Sequence, residues 1–240
     1  FKFGASYAGQ WWALPTLCFD SPDPAKPDAP KPPADLWLVE GIFDAIALAH
    51  HGIAAVACMS CNNYPLAALD ALKAQLDKQG GAVKPPRLVL ALDGDTAGQA
   101  FTVKHVKTAR EAGWVCTAAQ IPQKGKAKID WNDLHQRDKL GEKDIEDYLY
   151  HGALLIAASE QAKALLMYQR TGRSSFDFVF KNRLWWFELN VVGFAKAKDD
   201  IAKDVANGSM TPAEAQEKEQ KALLQFMKVP SARFGEHRVF

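Results

Sequence analysis

"RLVLALDGDTAGQAF", residues 87–101, follows Arg87 with five apolar residues, Leu88 to Leu92. It then sets Asp93 and Asp95 on either side of Gly94 and runs on into helical spacing. A short apolar run of this kind suits a strand buried on both faces, with the acids at its carboxyl end. Read outward, the pattern repeats. "LWLVEG" (36–41) predicts a strand ending in Glu40 and Gly41, and "IFDAIALAHHG" (42–52) a helix stopped by Gly52. "IAAVACMS" (53–60) and "WVCTAAQIP" (114–122) predict further strands, and "PLAALDALKAQLDKQGG" (65–81) a helix that starts on proline and ends on glycine. Strands alternating with helices of this length imply βαβ crossovers and a parallel sheet flanked by helices, an α/β fold. In such sheets function gathers at the carboxyl ends of the strands, where both acidic clusters fall.

Three acidic groups stand out: Glu40-Gly41-x-x-Asp44, Asp93-x-Asp95-x-x-Gly98, and Asp130-Trp131-Asn132-Asp133. Mg²⁺ and Mn²⁺ take oxygen ligands, and Mg²⁺ keeps several waters, so one or two carboxylates per ion suffice. Asp93 and Asp95, two apart, can reach one ion. Glu40 can serve as a general base or as a further ligand. Gly41 and Gly98 allow close backbone approach to a phosphate. Singly, such acids are ordinary caps and turns, and Asp44 suits the first turn of a helix. Jointly, at successive strand ends of one sheet, they point to metal-assisted phosphoryl chemistry.

Basic residues lie nearby. Lys104, Lys107 and Arg110 share a helix face, while Lys124, Lys126 and Lys128 form a loop just before the third acidic group. We expect Lys104, Lys124, Lys126 and Lys128, with Gly41, Asp44 and Gly98, to face nucleotide or nucleic-acid phosphates. Trp185, Trp186 and Phe187, beside Arg183, can stack bases, but strand alternation puts some of these rings in a core, and Trp11 and Trp12 are read the same way. Cys58 and Cys61 form a lone CxxC, read as two small buried residues at a strand end. His50 and His51 close a helix with no second half of a zinc site in the sequence nearby.

Composition is that of an ordinary globular chain, with 48% apolar and 24% charged residues and a net charge of +1. No global positive field recruits nucleic acid, so contacts fall to local patches. No apolar run reaches the ~18 residues of a membrane span. Four scattered cysteines favour a reducing cytoplasm over a disulfide scaffold. The chain begins at Phe1 rather than Met and reads as part of something longer. We divide it into an amino-terminal segment with a proline-rich linker (1–34), a core (35–150) and an extension (151–240). That extension is read as mostly helical, broken near Gly152, with a β-hairpin turning at Lys181-Asn182 and a late helix capped by Thr211-Pro212-Ala213-Glu214.

"LVEGIFDAIAL" followed by "LVLALDGDTAGQAF" resembles the TOPRIM domain of bacterial primases, type IA and type II topoisomerases, OLD-type nucleases and RecR-type proteins. The likeness covers roughly residues 35–135 and is greatest to primases of bacteria, phages and mobile elements. In those primases Asp-x-Asp is followed by Ala-Gly and a helix, as at Ala97-Gly98, and a later Lys-Asp segment supplies another acid. "KIDWNDLH" is similar, with Ile129 between Lys128 and Asp130, and either Asp130 or Asp133 is the equivalent acid. "GQWWALP" (9–15) is also similar to the segment leading into that core. The resemblance implies DNA replication chemistry: a DNA-binding nucleotidyltransferase that makes RNA primers on single-stranded DNA from nucleoside triphosphates. Two magnesium or manganese ions would be held by Asp93, Asp95, Asp130 or Asp133 and Glu40. It also implies a replicative helicase or further domains as partners. The amino-terminal zinc ribbon and most of the basic subdomain of bacterial primases are not seen, which fits a piece of a larger primase or primase-helicase. Two alternatives stay open: an OLD-type nuclease using water, although the sequence has no phosphate-binding Gly-x-x-x-x-Gly-Lys-Ser/Thr loop, and a non-catalytic RecR-type binding module. A topoisomerase needs a nucleophilic tyrosine, and Tyr148, Tyr150 and Tyr168 have no context for it.

Overall fold

The computed structural model describes residues 6–20, 31–123 and 128–231. Lys124, Lys126 and much of the proline-rich run lie outside the described residues. The chain forms two compact units, Phe1–Ile156 and Ala157–Phe240.

The first unit is built on β1 (Trp12–Ala13), β2 (Asp35–Val39), β3 (Ala55–Ala57), β4 (Arg87–Leu90) and β5 (Cys116–Ala118), joined by α1 (Ile42–His50), α2 (Leu66–Lys78) and α3 (Thr96–Glu111). After β5 come α4 (Trp131–Gln136) and α5 (Glu142–Leu155). The strands form one sheet in the order β1-β3-β2-β4-β5; all pairs are parallel except the edge strand β1 on β3. From β2 the chain turns outward to β3, and from β4 it turns the opposite way to β5. The carboxyl ends of β2 and β4 therefore flank the point where the winding reverses, the natural crevice of an open α/β sheet. Register there is set by Leu38 opposite Leu90, and by a bidentate pair at the strand starts, Arg87 Nε and Nη2 to Asp35 at 2.8 and 2.6 Å.

Because strand side chains alternate, the apolar runs line both faces. Leu36, Leu38, Val56, Leu88 and Leu90 pack against Leu69, Leu72 and Leu76 of α2 and Val106 and Ala109 of α3. Trp37, Val39, Ala57, Val89 and Ala91 pack on the other side against Ala45 and Leu48 of α1 and Trp131 and Leu134 of α4. Trp11 joins the first cluster and Trp12 the second, so both pack on the sheet from its edge.

Gly152 does not break a helix. α5 runs through it to Leu155, and the interruption comes later, where Ser159 caps the next helix by accepting from the Ala162 amide. A glycine is needed at 152 because α5 lies against the β5 end: a Cβ there would collide with the Ala118 carbonyl and stand 2.6 Å from the Ala119 amide nitrogen.

In the second unit, α6 (Glu160–Thr171) precedes the hairpin β6 (Ser175–Phe180) and β7 (Arg183–Leu189), then α7 (Val191–Ala206), α8 (Pro212–Phe226) and β8 (Met227–Lys228). The three strands pair antiparallel in the order β6-β7-β8. Lys181 and Asn182 turn the hairpin with φ of 48° and 59°, the left-handed pair a two-residue hairpin loop requires. Phe187 is fully buried among Phe178, Phe194 and Leu223, and Trp185 packs beside it with Nε1–H donating to the Phe180 carbonyl. Thr211 and Glu214 form the capping box expected of α8.

Among the described residues no helix is long and apolar enough to cross a membrane.

Candidate active site

Glu40 directly follows β2, and Asp93 lies three residues past β4, so the neighbouring strands deliver both carboxylates to the switch point. The backbone around Glu40 is fixed by β3: the Cys58 amide donates to the Val39 carbonyl and the Met59 amide to the Glu40 carbonyl, with Met59 held at φ 71°. A left-handed non-glycine residue beside acids marks a position held by its surroundings. Burial pushes the Glu40 carboxyl above its ordinary pKa and the Asp93 charge pushes it further, while Lys128 and the Cys61 amide oppose them.

The Asp93-Gly94-Asp95 turn is tightly enclosed. A Cβ on Gly94 would strike the Ile121 carbonyl and lie 2.5 Å from Gln123 Nε2, and one on Gly98 would strike the Asp93 carbonyl. Gly98 thus lets α3 start hard against the backbone of Asp93. Asp95 is the N-cap of α3, accepting from the Gly98 amide at 2.8 Å, and that bond above all holds its carboxyl below the ordinary value. Asp93 is only 6% exposed, and its Oδ1 is buried with no hydrogen-bond partner among the described residues. Its Oδ2 faces Lys128 Nζ at 2.8 Å, and the same ammonium stands 3.2 Å from Asp95 Oδ2. Lys128 therefore pairs with the acids rather than pointing clear of them.

The third acidic group is placed by Trp131, which is fully buried, edge-on to Trp37 and Tyr148, with Nε1–H donating to the Ala91 carbonyl at 2.7 Å. Asp130 and Asp133 cap α4 reciprocally: the Asp133 amide donates to Asp130 Oδ1, and the Asp130 amide to Asp133 Oδ2. Asp44, 5% exposed, joins the two helix starts, accepting from the Asn132 amide on Oδ1 and from the Gly41 amide on Oδ2. Burial pushes its pKa up to about 6, the Asp130 and Asp93 charges add, and the two amides oppose. Asp130 is thus the member of its pair whose charge reaches Asp44.

That raised value has a definite sign. The folded chain keeps a proton on Asp44 that the unfolded chain releases near 3.8, so the stabilisation is complete below 3.8 and is lost as pH rises through about 6. In chelator, this group is expected to lower stability between those values by up to about 3 kcal/mol. Thermal unfolding of wild type and Asp44→Asn across pH 4 to 7 checks it. A wild type no more sensitive than the variant over this window refutes the assignment.

Three residues at the site went unread in the sequence. His105 of α3 is buried with Nε2 2.8 Å from the Cys61 carbonyl; a carbonyl only accepts, so this nitrogen carries the proton. His105 thereby anchors the loop whose Cys61 amide bonds Glu40. Trp131 and Gln123, the latter bonded both ways to the Ile129 backbone, do the same for the third acidic group. Cys58 is buried as expected, its thiol pushed up to about 12 by burial, but Cys61 is half-exposed in the loop beside Glu40. His51 does find a distant partner: its Nε2 lies 3.0 Å from His135 Nδ1, with the His50 ring stacked on His135. Lys104, Lys107 and Arg110 are exposed on one face of α3; Lys104 lies over the Phe101 ring and Lys107 pairs with Glu111.

Among the described residues, no three His, Cys, Asp or Glu side chains already surround one ion position. The donor set nevertheless fits a hard divalent cation. Asp93 offers a buried oxygen with no other partner, and Asp95 is held ionised next to it. The crowded carboxylates already draw a cation, in the form of Lys128.

Residues 37–135 match the model of a family described as Toprim-like. Among solved structures, the RNA polymerase domain of the Mycobacterium tuberculosis primase DnaG is similar at 21% identity and a TM-score of 0.38, covering 58% of this chain. This chain spans 44% of that domain. No curated protein matches the chain.

Proposed function

We propose that the Toprim-like domain of residues 37–135 is the catalytic core of a metal-dependent nucleotidyltransferase of the primase type, joining nucleotides on a single-stranded DNA template. One observation carries this reading: Glu40, with its proton affinity raised by burial, meets the Asp93/Asp95 pair at the switch point of the sheet. Asp93 and Asp95 would hold Mg²⁺ or Mn²⁺, with Asp130 or Asp133 toward a second ion. When bound, such ions neutralise charge on the reacting phosphate and align attacking and leaving oxygens. Glu40 then takes the proton of a primer 3′-hydroxyl as its oxygen bonds to the α-phosphorus of a nucleoside triphosphate and diphosphate leaves. A carboxylate with raised pKa suits this task better than an exposed one. Lys104, on the exposed face of α3, is read as a phosphate contact, as are Lys124 and Lys126. Gly98 supports the site from within by letting α3 reach Asp93.

In a primer-synthesis assay with single-stranded template, ribonucleotides and Mn²⁺, Glu40→Gln is expected to lower kcat at least about a hundredfold, the usual worth of a positioned base. The KM for nucleotide should change little. Unchanged kcat removes Glu40 as the base. Cleavage of labelled DNA without nucleotides would instead assign the same acids to a nuclease.

A further inference from the structure

We infer that Lys128 is a built-in counter-ion of the Asp93/Asp95 pair, which a divalent cation must displace and which, once displaced, turns to a substrate phosphate. The inference rests on the metal-binding part of the function proposed above and concerns how that site changes state.

Lys128 Nζ lies between the two Oδ2 atoms, at 2.8 and 3.2 Å. A divalent ion held by both acids, even through the free Asp93 Oδ1, draws on carboxylates whose oxygens the ammonium already bridges. A doubly charged ion and an ammonium cannot share those atoms without strong repulsion in a partly buried site. The exposures set which partner gives way. The Asp93 side chain is 9% exposed on a backbone held hard against Gly98, whereas the Lys128 side chain is 55% exposed. Its flexible four-carbon stem lets the ammonium leave toward solvent with no change in the core. Until then it keeps the acids together, since Glu40, Asp93 and Asp95 would otherwise face one another with no opposing charge within the set. After displacement, the nearest new anion is the phosphate drawn in by the metal, so Lys128 would contact substrate only in the loaded state. The sequence reading treats Lys128 as a phosphate ligand outright; the structure makes that role conditional.

The test is calorimetric titration of the whole chain with Mn²⁺ alone, comparing wild type, Lys128→Gln and the charge-matched control Lys107→Gln. Lys128→Gln is expected to bind Mn²⁺ about tenfold more tightly than the control, within the usual size of coupling between sites. Affinity equal to or weaker than that of the control overturns the displacement, while Mn²⁺ binding that is lost in Asp93→Asn keeps the metal site itself. No saturable Mn²⁺ binding in wild type and Lys128→Gln alike overturns both. A second titration, with tripolyphosphate at saturating Mn²⁺, is expected to be several-fold weaker in Lys128→Gln. Unchanged affinity there removes the phosphate role.

Discussion

Gly98→Ala is expected to destabilise the first unit by about 3 kcal/mol or more, lowering its unfolding midpoint on the order of 10 °C. The direction runs against local preference, because alanine is the better helix former by about 1 kcal/mol at an unconstrained position. Gly98 is constrained. An added methyl would overlap the Asp93 carbonyl oxygen and stand 2.9 Å from its carbon and 3.2 Å from the Asp93 nitrogen. All three atoms are backbone, so no rotamer change relieves the clash. Either α3 withdraws, breaking the Asp95 cap on the Gly98 amide, or Asp93 moves, and both displace an acid. Gly41→Ala is the comparison, since its methyl would meet a side-chain atom, Asp44 Oδ2 at 2.7 Å, rather than backbone. Thermal unfolding of the two variants decides it. A Gly98→Ala midpoint equal to or above that of Gly41→Ala would mean that the close approach is not a constraint.

The parallel strands were legible because they are short apolar runs, those of β2, β4 and β5 closed by an acid or a proline, and such local signals survive folding unchanged. The acids at strand ends were legible for the same reason. Their partners were not. His105 reaches a carbonyl 44 residues away, and Asp44 an amide 88 residues away. Periodicity along a chain carries no information about such pairs. Gly152 was misread because a glycine in a helical run resembles a stop, while its actual reason, the approach of Ala118, lies on another element. The basic residues show a related limit. A lysine beside acids looks like a phosphate ligand in sequence, and only geometry shows Lys128 spent on the acids themselves.

Asp93→Asn is expected to abolish saturable Mn²⁺ binding and to cut nucleotidyl transfer on the order of a thousandfold, with the fold kept. Asparagine has the shape of aspartate, so the packing around Gly94 and Gly98 survives; what is lost is the charge. The buried Oδ1 position would then carry a neutral amide group or a carbonyl, neither of which can neutralise a divalent ion. Asp95→Asn should do less harm to the helix than to the site, because asparagine caps helices as well as aspartate and can still accept from the Gly98 amide. Equal circular dichroism spectra for wild type and both variants, with Mn²⁺ binding lost in Asp93→Asn, would separate the metal role from a structural one. The Lys128 pair adds a second readout: with Asp93 neutral, the ammonium keeps only Asp95 as a charged partner in that pair, so its hold on the turn weakens. Mn²⁺ binding that persists at wild-type affinity in Asp93→Asn would move the metal to the Asp44 and Asp130 side of the crevice. Asp93 would then be left as an acid whose side chain, among the described residues, is partnered by Lys128 alone, and the nucleotidyltransferase reading would lose its central ligand.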